Sequence, residues 1–139
     1  MKHLKGVGID LIDVARVDKL KDNPRFLARI FTQQELDYCF KKRYPERSLA
    51  ARYAAKEAVG KALGTGIMNR YLRWKDVEVI RTTGKPYIKL HGPASELLPN
   101  AIFHLSLTHT GTQASALVYF ECENFDEKKF QEYFAHRPE

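Results

Sequence analysis

Glu57 and Lys61 stand four residues apart in a run that reads as helix, so both side chains project from one face. A carboxylate and an ammonium so placed form a solvated ion pair at the least. At the most they hold a cation and a phosphate. Tyr53 shares that face, and Arg52 and Lys56 form a second basic pair beside it. Asp10 lies in a largely apolar stretch, where a carboxylate is costly unless it meets water or a partner. Asp10 and Glu57, from separate elements, can share one hard cation such as magnesium, which binds through one or two carboxylates, waters and substrate phosphate oxygens. Ser106-Leu-Thr-His-Thr110 sets hydroxyls and an imidazole at a strand end. Beside Lys61, His109 can grip phosphate; without that setting it is an ordinary core or surface histidine.

These groups need elements to position them. Val7, Ile9 and Leu11 alternate with Gly8, Asp10 and Ile12, which predicts a first strand over residues 5–12. Asp13 is then placed to cap a helix with Val14, Val17 and Leu20 as its stripe. Asn23-Pro24 starts a second helix, with Phe26, Leu27 and Ile30 facing the core. Thr32-Gln-Gln-Glu35 is a capping box that starts a third, with Leu36, Cys39 and Phe40 turned inward. The Ala-rich run Ser48 to Leu63 predicts the longest helix, with small residues at 50, 51, 54, 55, 58 and 62 that admit close neighbours. Gly64-Thr-Gly66 stops it. Val77 to Arg81 and Tyr87 to Leu90 flank Thr82-Thr-Gly-Lys-Pro86 as a hairpin. Gly92 to Leu98 reads as a short helix. Phe103, Leu105 and Leu107 mark a strand that pairs with Gln113 to Phe120 across Thr110-Gly-Thr112. The charged tail carries Phe125, Phe130, Tyr133 and Phe134 as one face of a terminal helix.

The chain has 139 residues, 44% apolar and 29% charged, which suits one ordinary domain with a real core. We expect that domain over residues 1–120, with residues 121–139 as a helical extension packed on it. No apolar run approaches the ~20 residues of a bilayer span, and no apolar signal core follows the basic N-terminus, so a cytoplasmic setting is expected. Cys39 and Cys122 are isolated and read as small hydrophobes. The formal charge is +6, spread without a long basic block, and by itself does not choose among anionic partners.

Four pieces in order resemble one family, the short bacterial holo-acyl-carrier-protein synthases. They are Gly6-Val-Gly-Ile-Asp10 with Arg16, the helix Arg52-Tyr-Ala-Ala-Lys-Glu-Ala-Val-Gly-Lys-Ala-Leu-Gly-Thr-Gly66, Gly84-Lys-Pro86, and Ser106-Leu-Thr-His-Thr110. The resemblance spans roughly Gly6 to Phe120. It implies an α+β fold, a small antiparallel sheet packed around the long Ala-rich helix. The implied activity is transfer of 4'-phosphopantetheine from coenzyme A to a serine of an apo-acyl carrier protein, leaving adenosine 3',5'-bisphosphate.

The same resemblance implies roles. Asp10 and Glu57 match magnesium ligands, a site that also suits manganese. Lys61 matches a lysine on the coenzyme A diphosphate, and Glu57 with Lys61 is the catalytic pair, Glu57 the first candidate for general base. Gly84, Lys85 and Pro86 match a turn at the adenine, and His109 and Thr110 match residues near the nucleotide phosphates. Arg52 joins the coenzyme A-binding set. Arg16 and Arg25 match positions that receive an acidic carrier protein. The family implies a homotrimer with active sites shared between subunits and a place in fatty acid synthesis; with no nucleic-acid-binding signature and no long apolar run, neither a nucleic-acid partner nor a membrane is expected.

Two rivals use the same residues. A magnesium-dependent diphosphate hydrolase would employ Asp10, Glu57 and Lys61, although such sites usually carry more carboxylates. An RNA-binding module would stack bases on Tyr71 and Trp74 in the basic segment Asn69-Arg-Tyr-Leu-Arg-Trp74.

Overall fold

The close approach of one strand to one helix organises the molecule. In the computed structural model, which describes residues 3–69, 71–123 and 125–134, strand β1 (His3–Asp13) crosses helix α4 (Pro45–Leu63) with glycines at the contact. A Cβ on Gly6 would sit 1.8 Å from the Ala62 carbonyl oxygen, and one on Gly8 would sit 1.9 Å from that of Ala58. Only a hydrogen fits there, and the small residues of α4 meet it from the other side. Gly64 ends the helix at φ 74°, left-handed as its place in the sequence predicts.

The strands β4 (Ile102–His109) and β5 (Gln113–Glu123) complete a three-stranded antiparallel sheet in the order β1-β5-β4. The register aligns Gly8, Val118 and Leu105 in one row, Asp10, Ala116 and Leu107 in the next, and Ile12, Ala114 and His109 in the last. These rows face α4, and Val118, Leu105, Ala116 and Ala114 are buried there. The predicted hairpin is present as β2 (Val77–Ile80) and β3 (Tyr87–Leu90), but it forms a sheet of its own. Helices α1 (Val14–Asp18), α2 (Pro24–Ile30) and α3 (Gln33–Phe40) lie between β1 and α4 in the chain, and α5 (Gly92–Leu97) between the two sheets.

The start signals of α2 and α3 hold. Asn23 accepts from the Phe26 amide at 3.2 Å, and Thr32 and Glu35 exchange both bonds of a capping box. Other local expectations need correction. Asp13 occupies the cap position of α1 without a side-chain bond, and the helix ends before Leu20. Phe40 was expected inside but is 46% exposed, because α3 points Glu35 and Cys39 at the core instead. The strand β5 continues past Phe120 to Glu123 and buries Cys122. Helix α6 (Glu127–Phe134) follows, with Phe125 and Phe130 in an edge-to-face contact at 5.9 Å. The side chains of Tyr133 and Phe134, like Arg70 and residues 135–139, lie outside the described residues. Both cysteines are free and buried, and burial pushes the Cys39 thiol up to about 11.

Candidate active site

Asp10 follows Gly6 and Gly8 on the helix-facing side of β1, one row beyond the last glycine contact. The strand is therefore pinned to α4 just before its carboxylate emerges. Lys61 reaches across to it, with Nζ 3.1 Å from Asp10 Oδ1 and 2.9 Å from the Ile9 carbonyl oxygen. Asp10 is mostly covered and Lys61 about half exposed, so the pair lies at the protein surface.

Glu57 is one turn back on α4 and half-buried. Burial raises its carboxyl above the ordinary range, the Asp10 charge raises it further, and Lys61 and Arg16 pull it back. Three of the predicted residues, Asp10, Arg16 and Lys61, thus act electrostatically on a fourth, Glu57. Tyr53, one turn further back, has its phenol raised by burial and opposed by Arg16, whose guanidinium lies 5.7 Å from the ring centroid.

Two carboxylates close enough to repel are what a divalent cation relieves. Among the described residues no group of three or more His, Cys, Asp or Glu side chains could hold a metal. An Asp-Glu pair open to water and phosphate fits magnesium chemistry better than a closed transition-metal site.

Other predicted residues lie elsewhere. His109 ends β4 two strands from Ile12, on the same sheet face as Asp10, and is exposed, as is Thr110. The Arg47 guanidinium approaches the turn at Gly111, within 3.3 Å of where a Cβ would be. Gly84, Lys85 and Pro86 form the β2–β3 turn, with Gly84 and Lys85 exposed. Arg25 is exposed in the first turn of α2. Arg52 does not join Lys61. The two are nine residues apart on an α-helix, which puts them half a turn apart in azimuth. Arg52 is only 4% exposed, with its guanidinium 4.3 Å from the Tyr38 ring centroid and its Nε without a partner. Burial pushes the Tyr38 phenol up, but Lys42, Arg52 and Arg81 outweigh it and the net shift is downward.

The basic pair Arg52 and Lys56 therefore belongs to the interior rather than to a surface beside Glu57. The signal was in the helix itself: alanine surrounds α4 everywhere but the side that carries Tyr53, Glu57 and Lys61, so Arg52 and Lys56 are buried with it. Trp74 is likewise turned inward, stacked on Tyr53 at 4.8 Å, so that ring face is already occupied.

Residues 6–118 match the model of the 4'-phosphopantetheinyl transferase superfamily. The chain belongs to that superfamily. Among its relatives, the holo-[acyl-carrier-protein] synthase of Alkaliphilus metalliredigens is 46% identical over 119 residues, covering 81% of this chain and 95% of the relative. That of Treponema denticola is 44% identical, covering 84% and 97%. The crystal structure of a holo-(acyl-carrier-protein) synthase from Bacillus anthracis in complex with CoA (3',5'-ADP) superimposes with a TM-score of 0.72 at 34% identity. It is matched over 85% of this chain and 96% of its own. The Helicobacter pylori synthase, solved in complex with coenzyme A, gives a TM-score of 0.71 at 29% identity. The α+β architecture expected from the sequence is that of these phosphopantetheinyl transferases.

Proposed function

We propose that this transferase moves 4'-phosphopantetheine from coenzyme A to a serine hydroxyl of an apo-acyl carrier protein, releasing adenosine 3',5'-bisphosphate. The observation that carries the reading is the Asp10, Glu57 and Lys61 constellation where β1 meets α4, in a chain 46% identical to a holo-[acyl-carrier-protein] synthase.

In the reaction the serine oxygen forms a bond to the phosphorus bearing the pantetheine arm. The bond from that phosphorus to the bridging oxygen of the diphosphate breaks. Negative charge grows on the leaving oxygen, and Lys61 Nζ is the side-chain cation placed to meet it. Magnesium, or manganese, held by Asp10 and Glu57 would add positive charge at the same diphosphate when bound. Glu57, with its raised pKa, takes the serine proton directly or through a water.

The remaining residues fit a long nucleotide substrate. Lys85 and the exposed turn at Gly84 and Pro86 meet the adenine. His109 and Thr110, with Arg47 close by, meet nucleotide phosphate. Arg52, buried on the other side of α4, would act on the nucleotide through its charge alone, together with Lys42 and Arg81 around Tyr38. Because Arg52 and Lys61 leave α4 on opposite sides, one coenzyme A cannot simply lie across both. A site assembled from two copies of the chain resolves this, and the sheet supports such an assembly. Its face away from α4 exposes Val7 (62%), Ile9 (60%), Leu11 (61%) and Leu117 (46%), an apolar surface suited to a homotrimer contact. Arg16 and Arg25 receive the acidic carrier. A cytoplasmic location and a role in fatty acid synthesis complete the proposal. Among the described residues no helix is long and apolar enough to cross a membrane.

The test is intact-mass spectrometry of an apo-acyl carrier protein incubated with the protein, coenzyme A and magnesium. Expected is a mass gain of one phosphopantetheine, abolished by EDTA and by Glu57→Ala. No gain with several folded carriers, together with phosphate release from simple diphosphates, would replace the reading with a hydrolase.

A further inference from the structure

Next to Glu57 in sequence, and about 100° round the helix from it, Lys56 is fully buried. Its ammonium has three N–H groups and uses all of them. It donates to Glu35 Oε1 at 2.8 Å, to the Trp74 carbonyl at 3.0 Å and to the Val77 carbonyl. Glu35, also fully buried, accepts from the amides of Thr32 at 2.9 Å and Val79 at 3.0 Å. The Thr32 hydroxyl donates to Glu78 at 2.6 Å, and Glu78 meets His91 Nε2 at 3.0 Å. One connected polar network thus joins α3, α4, the Trp74–Asp76 turn, β2 and the cap of α5.

Such a network is a poor source of stability, because removing two charges from water costs about what their attraction returns, and an apolar pair fills the space as well. Its geometry supplies another reason for it. The backbone carbonyl that Lys56 holds belongs to Trp74, whose ring stacks on Tyr53 at 4.8 Å and 28°. Tyr53 is one helical turn from Glu57 and carries Arg16 over its own ring at 5.7 Å. The chain of contact runs from Glu35 through Lys56 and Trp74 to Tyr53, and Tyr53 lies within electrostatic reach of Arg16, Glu57 and Asp10.

We propose that Lys56 and Glu35 are positioning residues for phosphopantetheinyl transfer, which fix the Trp74–Tyr53 wall and through it the placing of Glu57 and Arg16. The inference rests on the function proposed above. Neither residue touches substrate; their effect is on alignment, where a displacement of about 1 Å costs on the order of 100-fold in rate. Lys61, His109 and Thr110, proposed above to contact coenzyme A, lie outside the network, so coenzyme A affinity should change little.

Two variants test it. Lys56→Met alone leaves Glu35 charged and unpaired, so it is combined as Lys56→Met/Glu35→Gln, which removes both charges at nearly constant shape. Tyr53→Leu keeps the ion pair and removes the wall, and stands in should the double variant fail to fold. For each, kcat and KM for coenzyme A are measured at a temperature where circular dichroism shows a folded protein. Trp74, the only tryptophan in the chain, reports its own surroundings by emission. Expected is a fall in kcat of about 10- to 100-fold with KM for coenzyme A within about twofold. The double variant should also show a red-shifted Trp74 emission. A folded double variant with wild-type kcat and unchanged emission, or Tyr53→Leu with wild-type kcat, overturns the proposal. A wild-type protein without transfer activity would sink the functional reading instead, and the emission comparison would still decide whether Lys56 places Trp74.

Discussion

Lys61 Nζ lies 3.1 Å from Asp10 Oδ1, although 51 positions separate them in the chain. The contact is half exposed, so its share of folding stability is small. In the proposed mechanism its value is that one ammonium is held beside Asp10, available to a phosphate. Lys61→Met should lower kcat/KM for transfer by about 100- to 1,000-fold, the scale for losing one preorganised charge donor. The melting temperature should move little. A variant that keeps more than a tenth of wild-type kcat/KM would show that Lys61 is not the diphosphate contact.

The contact exists because β1 and α4 touch backbone to backbone, which leaves Gly8, like Gly6, no room for a side chain. A Cβ there would lie 1.9 Å from the Ala58 carbonyl oxygen, and a backbone oxygen inside a helix cannot step aside. Gly8→Ala should therefore cost more than about 4 kcal/mol and leave little folded protein. Gly64→Ala provides the contrast. It has open space around it and only its positive φ to resist, so the loss should be about 1 kcal/mol. Comparable denaturant midpoints for the two variants would contradict the packing described.

This difference also marks what could be read before the structure. Periodicity, capping box and turn residues located β1, α2, α3, α4, the hairpin and the β4–β5 pair, because each signal is local. The Gly6 and Gly8 pairing with Ala62 and Ala58 was prefigured only on the helix, by its small residues. Asp10, Glu57 and Lys61 were legible as chemistry through their types, spacing and family resemblance. Lys56 and Glu35 were not: on the sequence Lys56 is one more helix lysine, and Glu35 is the end of a capping box. Their burial depends on how α3 and the Trp74 turn fold over α4, which no local pattern encodes. Phe40 was misassigned for the same reason, since the turn of α3 is set by Glu35 seeking Lys56.

Glu57 gives a prediction with a definite sign. Its folded carboxyl titrates above its unfolded value, chiefly through burial and then through Asp10. The native state thus binds more protons than the unfolded one between those two values. Ionised Glu57 weakens the metal-free fold at neutral pH, and that cost disappears as pH falls through the raised value. In EDTA at pH 7, Glu57→Gln should melt at or above the wild-type temperature while being inactive. Magnesium should raise the wild-type melting temperature, by the equivalent of about 2.7 kcal/mol at 100 times its dissociation constant, and leave Glu57→Gln nearly unmoved. Equal magnesium shifts in both proteins would remove Glu57 from the metal site.

Arg16 and Arg25 separate docking from chemistry. Arg25 is exposed on α2 and far from the carboxylate pair in function, so Arg25→Glu should raise KM for the carrier at least tenfold at low salt and leave KM for coenzyme A within twofold. Arg16 also lies over Tyr53 and lowers the Glu57 carboxyl, so Arg16→Glu should reduce kcat as well as carrier affinity. The two effects on carrier KM should shrink as salt is added. Unchanged carrier KM in both variants would place the docking surface elsewhere.

The sheet face opposite α4 carries the last prediction. Ile9 and Leu117 are paired across β1 and β5, and Val7 and Leu11 flank them two residues away on the same side. All four are exposed in the single chain while the glycines and Asp10 alternate with them toward α4. If the proposed trimer forms through this face, β1 serves two surfaces, and residue parity tells the assembly positions from those facing α4. Ile9→Lys puts a charge in the middle of the apolar face without touching α4. In sedimentation velocity it should convert a trimer to a monomer with little change in circular dichroism. If active sites are shared between copies, the monomer should lose coenzyme A binding although Asp10, Glu57 and Lys61 are intact. A monomer that binds coenzyme A as tightly as wild type would mean that each chain holds a complete site, and Arg52 would then have no part in holding the nucleotide bound beside Lys61.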